Sequence, residues 1–140
     1  MVLSTSLNQA VTSRMMSIVA LDEKLYFQTD RTLRKYEQLK GNPSVALCID
    51  NIQIEGRCKE IGKPDDNVTF LNSYKESFVS SFERYSLLEN ERLFVIEPVF
   101  IERWRYIDGA PYVESFDILN EKYMLKAYHD AYQNKKTETV

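Results

Sequence analysis

"SRMMSIVALDEKLYFQTDRTLRKYEQL", residues 13–39, decides how the rest of the chain is read. It holds two short strand patterns, the turn Asp22-Glu23-Lys24 between them, and the start of a helix. Arg14 stands between Val11 and Met15-Met16 in a run that is otherwise apolar or small. A charge in such a strand needs a partner, because burying it unpaired is costly. Arg34 and Lys35 follow where the helix begins. Two explanations compete for these three cations. Solvated charge is the plain one, since Arg34 and Lys35 stand near Glu37 and exposed pairs contribute little. A phosphate site is the other. Phosphate takes charge-assisted bonds from several directions, and Arg offers a planar fork. A helix N-terminus adds free N–H groups and partial positive charge. Thr29 and Thr32, just before the helix, add hydroxyls.

Outward from this stretch the chain reads as short strands with helices between them. Residues 2–8 and 10–20 predict a hairpin around Asn8-Gln9, although no Asn-Gly marks the turn. Leu25 to Thr29 is an aromatic strand. Thr32 is placed to cap a helix from about Leu33 to Lys40, stopped by Gly41-Asn42-Pro43. Ser44 to Ile49 reads as a buried strand, with Cys48 pointing inward. Ile52, Ile54 and Gly56 alternate with polar residues in a strand pairing back on it. Asp66 or Asn67 caps a second helix reaching about Leu88, whose stripe of Phe70, Leu71, Tyr74, Phe78 and Phe82 packs on the sheet. Arg92 to Arg105 is a long strand in which Pro98 implies an edge or a bulge. Tyr112 to Phe116 is a further strand, and a terminal helix spans about 120–133. Antiparallel strands joined by tight turns favour a closed or nearly closed barrel.

Composition bounds the function. A chain of 140 residues with 44% hydrophobic content predicts a single domain over 1–140. A net charge of −3 argues against a nucleic-acid partner. No apolar run approaches the roughly 20 residues of a membrane span, and the N-terminus lacks signal-peptide features, so the expected setting is cytoplasmic, away from membrane. Cys48 and Cys58 form no C-x-x-C pair and no zinc spacing, so no metal site is expected. His129, the only histidine, reads as a surface residue. The pairs Asp65-Asp66 and Glu89/Glu91 read as solvated loop charges.

Residues 4–62 resemble the FMN-binding split-barrel family related to pyridoxamine 5′-phosphate oxidase. The resemblance is carried by Ser13-Arg14-Met15-Met16-Ser17, Leu25 to Asp30, Arg34-Lys35-Tyr36-x-x-Leu39, Asn42 to Cys48 and Ile52 to Arg57 in that order. It continues more weakly through Ile96-Glu97-Pro98 and Ile101 to Trp104. The resemblance implies a mainly β fold with flanking helices, a six-stranded antiparallel split barrel. It implies a homodimer with FMN in clefts between the subunits. Arg14, Thr29, Arg34 and Lys35 would hold the flavin phosphate. The stretch from Met15 and Met16 through Ser17 to Ile18, together with Phe27-Gln28, would line the ring. Asn51 or Gln53 would reach the flavin from the other subunit, and Trp104 would close the cleft unless it is simply core.

The implied activity is an FMN-dependent oxidoreductase acting on a small, aromatic or nitro- or quinone-type molecule, like the short nitroimidazole-resistance relatives. A flavin-binding store, sensor or electron carrier is the alternative. A deazaflavin is a further possibility for the cleft, whereas haem is disfavoured by the single histidine. No side-chain constellation for catalysis is present, as expected where the cofactor carries the chemistry. Pyridoxamine phosphate oxidase itself carries an Arg-x-His near its C-terminus. Here Asp108 to Tyr112 holds neither residue, and Val19 replaces a lysine, so that oxidation is not expected.

Overall fold

The computed structural model describes residues 1–128. His129 and the end of the expected terminal helix lie outside them. The described elements are β1 (Val2–Leu7), β2 (Ala10–Met15), β3 (Val19–Leu21), β4 (Lys24–Asp30), α1 (Arg34–Gly41), β5 (Ser44–Ile49), β6 (Ile52–Glu60), a 3-10 turn (Pro64–Asp66), α2 (Val68–Ser77), α3 (Val79–Tyr85), β7 (Glu91–Ile107), β8 (Ala110–Asp117) and β9 (Lys122–Ala127). No helix among them is long and apolar enough to cross a membrane.

The strands form one antiparallel sheet in the order β2-β1-β5-β6-β7-β4-β3. Its two ends, β2 and β3, are consecutive pieces of the run expected as one strand over 10–20. Met16, Ser17 and Ile18 join them, with Met16 N donating to Met1 O at 2.8 Å. Counting β2 and β3 as one bent strand gives the six strands of a split barrel. The β1–β2 and β3–β4 hairpins turn without glycine. Asn8 and Gln9 sit at φ 51° and 70°, and Asp22 and Glu23 at 49° and 64°. Both central residues are left-handed, the geometry that matches strand twist in a two-residue loop.

Pro98 lies at a bulge, as its presence in the strand implied. Glu55 pairs with Phe100 and Gly56 with Pro98, so Val99 is the extra residue. Beyond it β7 leaves β4, stays paired with β6 as far as Arg103, and on its other edge pairs with β8, which pairs with β9. β9 replaces the expected helix. Leu125 and Tyr128 fit a helical spacing, but pairing from Tyr112↔Ala127 to Asp117↔Lys122 satisfies the backbone of β8, and tertiary pairing overrides a weak local preference.

The barrel core is Leu3, Phe27, Leu47, Phe94 and Ile96, closed at one end by Leu39 and Tyr36 of α1. Phe27 stacks on Phe94 with ring centroids 5.3 Å apart. A second cluster of Val19, Phe70, Tyr74 and Leu93 seats α2 and α3 on the sheet, with Phe78 and Phe82 packed against it. The helix expected to run to Leu88 is broken at Phe78, whose φ of −137° and ψ of 58° are not helical. Asn67 does cap α2, accepting from Phe70 N at 2.9 Å. Cys48 is exposed rather than inward, because Val45 and Leu47 take the buried face of β5. Cys58 is the buried thiol, and burial pushes it up to about 12.

Candidate functional site

β2 pairs along β1 so that Arg14 lies opposite Leu3, on the face that turns into the barrel. The guanidinium is held from two sides. Nη1 donates to Leu3 O at 3.2 Å and Thr5 Oγ1 at 2.9 Å, and Nη2 donates to Thr12 Oγ1 at 2.6 Å and Gln38 Oε1 at 3.2 Å. All four acceptors are neutral, so the charge itself is uncompensated. Burial and the positive charge of Arg34 both weaken Arg14's hold on its proton.

Lys35, half-buried, turns toward the same mouth, with Nζ 3.3 Å from Met16 Sδ. Burial and the Arg14 charge lower its proton affinity, and Glu91 opposes this. Arg34, the first residue of α1, is exposed. Three cations thus share one region and repel one another. Folding tolerates such a cluster where an anion is meant to complete it.

Thr29 supplies the sharpest observation. It is 3% exposed, and its Oγ1 is buried without a hydrogen-bond partner among the described residues. A buried hydroxyl left unpaired costs about 1–3 kcal/mol, so it calls for a ligand atom. Thr29 and Lys35 line one cavity of about 370 Å³ together with Gln28, Asp30, Tyr74 and Glu91. Thr32 does not cap α1. Its Oγ1 donates to Asp30 Oδ1 at 2.6 Å, and Leu33 stands at the N-cap with no side-chain bond. The first N–H groups of α1 are therefore unclaimed by a cap.

The expected ring-lining residues divide. Met16 and Ser17 are half-buried in the link between β2 and β3. Met15 is 73% exposed on the outer face. Phe27 is wholly inside the core and cannot line a cleft. Gln28 lines the cavity, but its amide is committed to Glu91 and Ser86.

Asn51, Gln53 and Trp104 meet elsewhere. They line a separate cavity of about 220 Å³, and Asn51 Nδ2 donates to Trp104 O. Trp104 is exposed and meets Tyr128 edge-on at 5.3 Å, so it is not barrel core. The register Met15↔Val2↔Cys48↔Gln53 places Gln53 three strands from Arg14's strand, roughly 14 Å at the usual spacing. Gln53 also alternates with the buried Ile54, so it faces outward while Arg14 faces the barrel. One chain therefore cannot bring both groups onto one small ligand.

Sequence reasoning missed Gln38, Thr5, Thr12 and Glu91. Gln38 falls four residues after Arg34 and three after Lys35, on their side of the helix. Glu91, expected as a solvated charge, is 5% exposed. It alternates with buried Leu93 and Val95 on one face of β7.

The family model described as pyridoxamine 5′-phosphate oxidase matches residues 1–108. Among curated proteins none matches. General Stress Protein 26 from Bacillus anthracis str. Sterne is 27% identical over 71% of this chain and 79% of that one, with a TM-score of 0.56. A pyridoxamine 5′-phosphate oxidase-related, FMN binding protein from Nostoc punctiforme PCC 73102 is 14% identical over 92% and 87%, with a TM-score of 0.64. A NimC/NimA family protein from Clostridium acetobutylicum is 14% identical over 91% and 83%, with a TM-score of 0.54.

Proposed function

Because the chain belongs to the pyridoxamine 5′-phosphate oxidase family, we propose that Arg14, Thr29, Arg34 and Lys35 hold the phosphate of FMN. The buried, unpartnered Thr29 hydroxyl beside a half-buried lysine carries this reading. An ester phosphate brings the acceptor oxygens and the negative charge that these groups lack. The flavin ring would run along Met16 and Ser17. Its second wall, Asn51 or Gln53 with Trp104, would come from a second copy of the chain, because these residues face away from Arg14. The assembly is then a two-fold homodimer, the commonest closed arrangement.

Bound FMN supplies hydride and electron transfer. The chain's own contribution is binding, orientation and exclusion of water. The substrate class is a small aromatic, nitro- or quinone-type molecule stacked on the ring, and the protein acts as an oxidoreductase. A cytoplasmic setting fits two free thiols.

The test is to identify the small molecule released from purified protein by mass spectrometry, then to follow NAD(P)H consumption by the FMN-loaded protein with a panel of nitro and quinone acceptors. Release of FMN with acceptor-dependent turnover supports the reading. Release of FMN with no turnover for any acceptor favours a flavin store or carrier. Release of a deazaflavin or no flavin overturns the cofactor assignment.

A further inference from the structure

Glu91 opens β7 inside the cavity that also holds Thr29 and Lys35. Its Oε2 accepts from Gln28 Nε2 at 3.0 Å, and Gln28 Oε1 accepts from Ser86 Oγ at 2.7 Å. The serine hydroxyl can only donate to that amide oxygen, which fixes which end of Gln28 meets the carboxyl. Gln28 and Ser86 are themselves buried. The Glu91 carboxyl is therefore held in the cavity wall and is not free to swing away from an incoming anion.

The groups facing it come from every neighbouring element. Asp30 stands on β4, Lys35 on α1, Tyr74 on α2 and Tyr85 on α3. Along its own chain, Glu89 pairs with Lys63, and Arg92 Nη1 donates to the Glu91 carbonyl at 2.7 Å. Among the described residues, Lys35 is the only cation lining the cavity, against two carboxyls. Asp30 accepts from Thr32 N and Thr32 Oγ1 and is held below the usual carboxylate range. Glu91 behaves oppositely. Burial and the charge of Asp30 push it up, while Gln28 and Lys35 pull it back only in part.

We propose that Glu91 shares one proton with the phosphate bound at Thr29 and Lys35, so that a phosphate monoester enters this site together with a proton. The inference rests on the phosphate reading above. A free monoester loses its last proton near pH 6. Two bare anions side by side in a partly desolvated cavity repel strongly. One proton placed between them turns the repulsion into a charge-assisted O–H···O bond, and it then belongs to the pair rather than to either group. No covalent bond is made or broken except to that hydrogen. Protonation favours the complex, so binding is tight at lower pH and weakens as pH rises through the titration of the pair.

The experiment is calorimetry of FMN binding to flavin-stripped protein in buffers of different ionisation enthalpy, from about pH 6 to about pH 9. Riboflavin, which has no phosphate, is run in parallel, and both ligands are repeated with Glu91→Gln. The wild type should take up close to one proton per FMN above neutrality, with affinity falling about tenfold per pH unit. Glu91→Gln should lose that uptake and bind FMN with little dependence on pH above about 7, where the ester is already ionised. Riboflavin should show no uptake with either protein. Tight FMN binding without proton uptake in the wild type, or equal uptake in Glu91→Gln, overturns the inference while leaving the FMN assignment standing. Failure of the wild type to bind FMN at all removes that assignment, and this inference with it.

Discussion

Gln38 Oε1 and Arg14 Nη2 lie 3.2 Å apart, and the same amide oxygen accepts from Thr5 Oγ1 at 2.6 Å and Thr12 Oγ1 at 2.8 Å. Each threonine gives its one proton to Gln38 and accepts from Arg14 in return. The ring is closed and mostly buried. Networks of this kind are rigid when every member is satisfied and costly when one is missing. Gln38 thus aims Arg14 without neutralising it, which a carboxylate at the same position would do.

Gln38→Leu removes the shared acceptor and leaves donors unpaired. The expected loss is about 1–3 kcal/mol of unfolding free energy, measured by urea denaturation, with weaker FMN binding. Gln38→Glu should retain the fold, because the carboxylate still accepts from both threonines and Arg14, yet should still bind FMN poorly. A Gln38→Glu protein with native flavin affinity would show that the neutral acceptor is incidental.

Arg14→Ala combined with Lys35→Ala removes two of the three cations. Each charge-assisted bond contributes roughly 1.5–3 kcal/mol, so FMN affinity should drop by about two to four decades. Fluorescence titration of the double variant measures this. Flavin that survives prolonged dialysis of the variant would reduce these cations to surface decoration.

Much of this site was legible because it is local. Arg14, Thr29, Arg34 and Lys35 fall within a single strand–turn–strand–helix stretch, where spacing fixes their side of the chain. Gln38 and Glu91 were not legible for the opposite reason. Whether a polar residue is buried depends on what packs over it, and the covering of Glu91 comes from Gln28, far away in sequence, which Ser86 in turn holds. The barrel was legible from alternation and turns, and Pro98 from its missing donor. The hairpin of β8 and β9 was not, because Tyr123 with Ala127, and Leu125 with Tyr128, also stand at helical spacing. The break at Phe78 has no glycine or proline to announce it.

Gly56 is the small residue that the bulge requires. A Cβ there would stand 2.5 Å from Ile96 Cγ2 and 3.1 Å from Glu97 O. Ile96 is wholly buried, so it has little room to yield. Gly56→Ala should therefore destabilise the barrel by about 1–3 kcal/mol through overpacking, seen as a lower thermal midpoint with flavin contacts untouched. An unchanged midpoint would mean that the bulge relaxes freely.

The outer hairpin has its own acid sensitivity. Glu114 accepts from Tyr123, Arg103 and Arg105, which hold its carboxyl down at about 2. A carboxyl depressed in the folded state adds stability above its ordinary value of 4.5 and loses it as pH falls toward about 2. Amide exchange in β8 and β9 should accelerate on acidification through that window, and Glu114→Gln should remove the dependence. Equal acid response in both proteins would place the sensitivity elsewhere.

The same ion pairs decide what the cleft will not do. Oxidising pyridoxamine phosphate requires a second phosphate site beside the flavin, with its own cations. The turn at Asp108 and Gly109 joins β7 to β8 and offers a carboxylate in place of a cation. Arg103 and Arg105 are the nearest candidates on β7. Both donate to Glu114, on the face of the strand opposite Trp104. Arg103 lines the cavity beside Trp104, but recruiting either arginine would mean breaking its pair with Glu114. A carboxylate beside a substrate phosphate repels it in a partly desolvated cleft. FMN-saturated protein supplied with pyridoxamine phosphate or pyridoxine phosphate under oxygen should therefore show no turnover. Formation of the aldehyde at about 1 s⁻¹ or faster, the low end of typical enzymes, would mean that cations from outside this surface reach the substrate and that the charge argument fails.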